Sequence, residues 1–236
     1  MNFSIVRTYS IAAKDMKELS KNMFVLTTAV MPFLFALMFG RQDDIPLVVH
    51  YLVINLTFAS VTCFVQTALI AEEKEKKTLR SLMLSPATST EILTGKSAVA
   101  AALTAATLVI CMQITGYVPE GVYVYAGLAI SLVFYLMVGL LLGLLARTLV
   151  EASVLILPVI FILGMGGLFI EFFQQYDIAA WLEYLPNFQL EYIAAAVGRG
   201  GGLADVSGYL LVITGWTVAA AVLTVAVYRK RTFIEE

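Results

Sequence analysis

Three groups of residues in this sequence have the types and spacing for chemistry. Gly95, Lys96 and Ser97 end the stretch EEKEKKTLRSLMLSPATSTEILTGKS, residues 72–97, and a Gly-Lys-Ser ending is how a phosphate-cradling loop closes. Glu72 and Glu73, a basic residue four positions after the second, and His50 are the acid, base and ligand types that bond hydrolysis uses. Asn55, Thr62 and Gln66 are neutral hydrogen-bonding groups in an otherwise apolar run. Side chains of this kind are costly toward lipid and usually face protein or water.

The first two groups do not assemble. A phosphate loop needs G-x-x-x-x-G-K-[ST] after a strand, because glycines let successive backbone N–H groups converge on the phosphates. Thr90 occupies the first glycine position, and no strand pattern precedes it. Thr88 and Glu91 form instead an S/T-x-x-E capping pattern, which starts a helix there and puts Gly95 and Lys96 in its first turns. Lys96 then reads as a side chain snorkelling from a helix end to water. Glu72, Glu73 and Lys77 are similar to the EExxxR of membrane-embedded CAAX-type proteases, with lysine in place of arginine. His50, the single histidine, lies at the other end of the same apolar run, about 30 Å away by helix rise. No Ser/His/Asp set, metal cluster or intramembrane acidic pair can be put together, so the chain reads as a non-enzyme.

The third group is positioned by the elements around it. Of 236 residues, 60% are apolar and 14% charged, more hydrocarbon than a soluble core of this length can hide. Six uncharged apolar runs, 22–40, 48–71, 97–116, 122–146, 152–170 and 206–228, are each long enough to cross about 30 Å of bilayer as a helix. None alternates polar and apolar residues as a barrel strand would, so an all-α membrane protein with six transmembrane helices is expected. With the N-terminus in the cytosol, all but two of the fifteen Lys and Arg, Arg41 and Arg199, fall on the inner side, which puts both termini there. The net charge of −2 conceals that asymmetry. Nothing in the pattern points to nucleic acid. Run 22–40 is no cleaved signal, because its leader carries Asp15 and Glu18 and no small-residue cleavage pattern follows.

Residues 1–21 precede the spans. Ile5, Tyr9, Ala12, Met16 and Leu19 recur at steps of four and three while Arg7, Lys14 and Lys21 recur every seven, which predicts an amphipathic helix lying on the inner leaflet. Residues 171–205 are too apolar for a solvated loop and carry Trp181 and Tyr184. Pro186 divides them into two helical pieces and the GRGGG run ends the second, so an external helical hairpin dipping into or lying on the outer leaflet is expected. Gly139 and Gly143 make a small-xxx-small pattern, read first as intramolecular packing. Gly164, Gly166 and Gly167, after Pro158, read as a kink or tight crossing. Cys63 and Cys111 read as buried free thiols.

Residues 72–84 form a mixed-charge run in which Leu79, Leu82 and Met83 share a helical face, and Ser85-Pro86 ends it. A short cytosolic helix with an apolar knob between two spans is suited to another protein's groove. Here the chain resembles type 2 ABC exporter permeases, whose signature is roughly E-x-E-x-G-T-L-x-x-L-x-x-S-P-x-S-x-x-E-x-x-x-G-K. Glu73, Glu75, Thr78, Leu79, Leu82, Ser85, Pro86, Ser89 or its neighbour, Glu91, Gly95 and Lys96 follow it, and Lys77 stands where glycine is frequent. The region 167–197, with Trp181 and Pro186, is similar to that family's segment between spans five and six.

The resemblance implies a six-span permease domain over 22–228, a coupling loop at 72–91, a re-entrant segment at 171–205 and a cytosolic tail at 229–236. It implies work as a dimer, with a second copy or a related permease, and a separate cytosolic ABC ATPase that binds ATP and Mg. This chain then binds no cofactor itself. Glu73, Glu75, Thr78, Leu79, Leu82, Met83, Ser85, Pro86 and Glu91 would meet the ATPase. Asn55, Thr62 and Gln66, on one stripe with Tyr51 and Ala59, would border the path; interhelical hydrogen bonding is the alternative for that stripe. The rival classes are an intramembrane enzyme and an ATP-independent secondary transporter. The second usually keeps ionisable groups near the bilayer midplane, where these runs have none.

Overall fold

Apolar runs in lipid leave backbone N–H and C=O groups only one another to bond with, and helices satisfy that within a single segment. The computed structural model describes residues 4–42, 44–77, 88–173 and 179–232, and among them every regular element is helical. In order these are α1 (Ile5–Leu19), α2 (Met23–Phe39), α3 (Leu47–Glu75), α4 (Ser89–Thr115), α5 (Gly121–Leu145), α6 (Leu149–Gly164), α7 (Gly166–Phe173), α8 (Ala179–Leu182), α9 (Pro186–Gly198) and α10 (Leu203–Thr232).

α3 is the centre of the bundle. Residues 51–71 are buried without exception, and α2, α4, α5, α6 and α9 pack around them while α10 lies on α5 and α9. The close crossings use glycine. A Cβ on Gly139 of α5 would lie 2.5 Å from the Cys63 carbonyl oxygen of α3, and one on Gly143 would lie 2.7 Å from Ile70 Cβ. The small-xxx-small pattern is therefore an internal seam. Cys63 and Cys111 are free and buried, as expected.

α3 is not a uniform helix. Phe58–Cys63 forms a π-helical turn, which inserts extra backbone and rotates everything after it relative to what precedes it. The hydroxyls of Thr57 and Ser60 donate to the carbonyls of Val53 and Leu56 at 2.8 and 2.7 Å and so stay satisfied within the rod.

Among the described residues four helices, α3, α4, α5 and α10, have the length and apolarity to cross a membrane. Two of the six expected crossings are shorter. α2 holds Pro32 in its interior, and α6 passes through a turn at Ile156, just before Pro158, and a second π turn at Ile160–Gly164 before breaking at Met165. Gly164 is pressed against Ala59 of α3, so the glycines there mark both a tight crossing and a break.

One local expectation changes. Residues 72–75 are the last turn of α3 and not the start of a separate helix; nothing before them breaks the rod, and Glu72 and Lys76 pair at 2.7 Å across one turn. The helix ends at Glu75, and Lys77, two residues on, has a φ of 56°, in the left-handed region. A non-glycine residue is held there at a cost of about 1–2 kcal/mol. The rest of the expected short helix, with Thr78, Leu79, Leu82, Met83, Ser85 and Pro86, lies outside the described residues. In the segment after α7, Pro186 does open a helix, and α9 ends before Gly200, whose φ is 81°. α9 is inserted against α3, α5 and α10, with Pro186, Asn187, Phe188, Gln189 and Leu190 all buried.

Candidate functional site

At one end of the bundle α1 folds back onto the first turns of α4 and the last turn of α3. Gly95 makes this approach feasible, since a Cβ there would meet the Thr8 carbonyl oxygen of α1 at 3.0 Å. Three α1 residues at steps of four, Ile11, Asp15 and Leu19, are buried in the contact. Lys96 completes it. Its side chain is 1% exposed, and Nζ donates to Asp15 Oδ2 at 2.9 Å and to Glu73 Oε1 at 3.2 Å. Lys14 Nζ donates to the same Glu73 oxygen at 2.9 Å.

One helical turn closer to the start of α4, Glu91 does three jobs. Its carboxylate takes Arg7 Nη2 at 2.7 Å and Arg7 Nε at 3.1 Å, and it accepts from the Thr88 N–H at 2.7 Å while Thr88 Oγ1 accepts from the Glu91 N–H at 3.2 Å. That is the complete capping box expected from the sequence, with an arginine clamp and the Ser4 N–H added. Two salt-linked carboxylates thus fasten α1 to the ends of α3 and α4.

The expectation that Lys96 snorkels to water is corrected here. The amine has two buried acids within reach once α1 is in place, and these partners offset the cost of its burial. Burial pushes the Asp15 carboxyl above its ordinary value, opposed by the charge of Lys96. Asp15, Glu18 and Glu73 bring carboxylate oxygens within 4.8 Å of one another, a spacing that would suit a cation, and the ammonium groups of Lys14 and Lys96 stand among them. α1 itself has three faces: acid-binding Arg7 and Lys14 beside the buried Ile11-Asp15-Leu19 stripe, and an exposed apolar face with Ile5, Val6 and Tyr9.

The same end is bound to the next hairpin. Lys74 Nζ donates to the carbonyls of Leu144 at 2.8 Å, of Gly143 and of Ala146, capping α5 with a positive charge. Glu75 Oε2 accepts from the Leu149 N–H at 2.8 Å at the start of α6. Of the residues expected to meet an ATPase, Glu73, Glu75 and Glu91 are therefore engaged within this chain. Sequence reasoning missed Arg7, Lys14, Asp15 and Lys96 as a set. One signal was present: Asp15 interrupts an apolar four-step stripe, where an unpaired acid would be costly.

Asn55, Thr62 and Gln66 are all buried in α3, and each meets a different neighbouring helix. Asn55 Nδ2 donates to the Asn187 carbonyl of α9 at 3.2 Å, Thr62 shares a 2.7 Å hydrogen bond with Thr104 of α4, and Gln66 lies against Gly139 of α5. Both amide atoms of Gln66, and the amide oxygens of Asn55 and Asn187, have no hydrogen-bond partner among the described residues, nor does Ser131 Oγ. Each such group costs about 1–3 kcal/mol while it stays unpaired. At the far end of α3, His50 stacks on Tyr117 at 4.7 Å and Tyr51 shares a 3.0 Å hydrogen bond with the Tyr117 hydroxyl. α3 runs unbroken from His50 to Glu73, so those two side chains cannot meet.

Residues 3–187 match the model of a family described as ABC-2 type transporter, and the chain belongs to that family. No curated protein matches the chain. Family membership together with the apolar helices makes this a multi-pass membrane protein and a permease subunit of an ABC transporter.

Proposed function

We propose that this ABC-2 chain is the permease of an ATP-driven exporter, crossing the cytoplasmic membrane six times with both termini in the cytosol and working as a dimer with a separate cytosolic ATPase. α2 and the α6–α7 pair are the two crossings beyond the four long helices. The observation that carries the reading is the charged junction. Arg7–Glu91, Lys14–Glu73 and Lys96 with Asp15 join the surface helix α1, the first turn of α4 and the end of the fully buried α3 into one block. The segment 78–87, with Thr78, Leu79, Leu82, Met83, Ser85 and Pro86, sits in sequence between the ends of α3 and α4, so a partner that binds it acts next to this block. A ligand or nucleotide shifts a two-state equilibrium only through contacts that differ between the states, and this segment and α1 supply them. Glu73, Glu75 and Glu91 serve coupling from inside, as fasteners, while the leucines meet the partner.

The test is reconstitution of the chain with its ATPase in vesicles, with and without ATP. Export that needs both ATP and the partner, and no nucleotide hydrolysis by the chain alone, is the expected outcome; hydrolysis by the purified chain defeats the proposal. Leu82→Asp in the complex is expected to abolish export at an unchanged melting temperature. Normal export with substrate-stimulated hydrolysis would remove Leu82 from the docking surface.

The path is proposed to run along α3 at Gln66 and Asn55, whose unpaired amide atoms water or a solute would satisfy when the helices part. Thr62, bonded to Thr104, fits the hydrogen-bonding alternative better. In a background with Cys63 and Cys111 replaced by alanine, Gln66→Cys should react with a polar thiol reagent in one nucleotide state and not the other. Thr62→Cys should react more slowly in both. Protection of Gln66→Cys in every state moves the path elsewhere.

A further inference from the structure

On the side of α1 away from the ion pairs a groove of about 490 Å³ runs between α1 and α4. Its walls are Tyr9, Ala12 and Met16 on α1 and Ala98 and Ala102 on α4, with Lys17 at the rim. The notch exists because α4 presents alanines there while Gly95, one turn back, lets α1 come close. Tyr9 is 73% exposed, and Ala98 and Ala102 are exposed as well, so the groove opens outward and not into the bundle.

The basic residues of α1 divide into two kinds. Arg7 and Lys14 are held by Glu91 and Glu73. Lys17 and the following Lys21 are exposed and make no ion pair among the described residues. An apolar trough with an uncommitted cation at its rim, on a helix that leads within a few residues into the apolar α2, has the chemistry of an anionic phospholipid: hydrocarbon along the trough and phosphate on the lysine. A peptide would leave its backbone groups without partners against these alanines, tyrosine and methionine.

We infer that the α1–α4 groove is a discrete binding site for one anionic phospholipid, its acyl chain against Tyr9, Ala12, Met16, Ala98 and Ala102 and its headgroup phosphate on Lys17. From the proposed function this takes only the placement of α1 at the membrane surface. The lipid wedges the exposed flank of the junction and so holds α1 against α4 where the ion pairs do not reach.

Native mass spectrometry of the detergent-purified full chain tests it, with dioleoyl phosphatidylglycerol or dioleoyl phosphatidylcholine added. One phosphatidylglycerol should be retained in preference to phosphatidylcholine. Lys17→Gln should weaken phosphatidylglycerol retention about fivefold, to the level of phosphatidylcholine. Ala102→Trp, which fills the trough from an exposed position, should remove both, at a melting temperature unchanged in lipid-free detergent. Equal retention of the two lipids by the wild type, or retention unaltered by either substitution, overturns the site. A change in oligomeric state on Ala102→Trp would assign the groove to a second copy instead. None of these readouts involves ATP or export, so the site fails or stands separately from the transport reading.

Discussion

Lys96→Met is expected to destabilise the protein by about 3–5 kcal/mol, the cost of deleting one member of a buried, hydrogen-bonded ion cluster. The loss is not the attraction alone. Glu73 keeps Lys14 at 2.9 Å, but Asp15 is 1% exposed and its hydrogen-bonding ammonium partner is Lys96. The substitution leaves a carboxylate in an apolar seam, and it either ionises at high cost or takes up a proton. Adding Asp15→Asn to Lys96→Met should therefore recover most of the stability, a recovery that a mere packing defect would not show. Acid should help the single variant too. Burial holds the Asp15 pKa above its unfolded value of about 3.9, and losing Lys96 removes a group that lowers it. The folded state then binds the proton more tightly than the unfolded chain. Stability is highest below the unfolded pKa and falls as pH rises through the folded one, so the deficit of Lys96→Met should shrink on acidification. Thermal unfolding in detergent across pH measures all three arms. A Lys96→Met protein that melts with the wild type at neutral pH would mean that the junction does not hold α1.

What the sequence made legible is what is local. The capping box at Thr88 and Glu91 spans four residues and formed as expected; the Pro186 helix start and the glycine-rich stop before Gly200 are likewise set by neighbours in the chain. Helices throughout follow from the runs themselves. Lys96 was illegible for the opposite reason. Its partner Asp15 is 81 residues away, and a lysine at a helix end looks alike whether it meets water or an acid on a helix folded back over it. Lys77, aligned with a frequent glycine, did carry information, since its left-handed φ is the conformation glycine favours, but the residue type alone placed the end of α3 too early. The stripe of Asn55, Thr62 and Gln66 assumed a constant 100° per residue, and the π turn at Phe58–Cys63 departs from that. Nothing in FASVTC announces a π turn; it depends on how α3 fits among five neighbours.

That fit is also where the second large effect is expected. Gly139→Leu should prevent α5 from seating on α3, because the new Cβ alone would stand 2.5 Å from the Cys63 carbonyl oxygen and 2.8 Å from Gln66 Cβ. Neither is the mobile end of a long side chain, and α3, buried on every side from 51 to 71, has no room to retreat. Overpacking of this sort costs about 1–3 kcal/mol where a core can adjust, and the upper end or beyond is expected here. A weaker contact goes as well: the Thr67 hydroxyl, which donates to the Cys63 carbonyl at 2.7 Å within α3, also reaches the Gly139 carbonyl at 3.0 Å, and α5 displaced outward loses that shared arm. Gly208→Leu is the matched control on α10, since a Cβ there meets nothing within 4 Å. Expression level and thermal unfolding should separate the two substitutions clearly, with Gly139→Leu lost or strongly destabilised and Gly208→Leu near the wild type. Size-exclusion chromatography adds the decisive comparison. If Gly139→Leu melted normally and only dissociated a dimer, the glycines would lie between copies, and α5 would not be the helix that holds Gln66 in place.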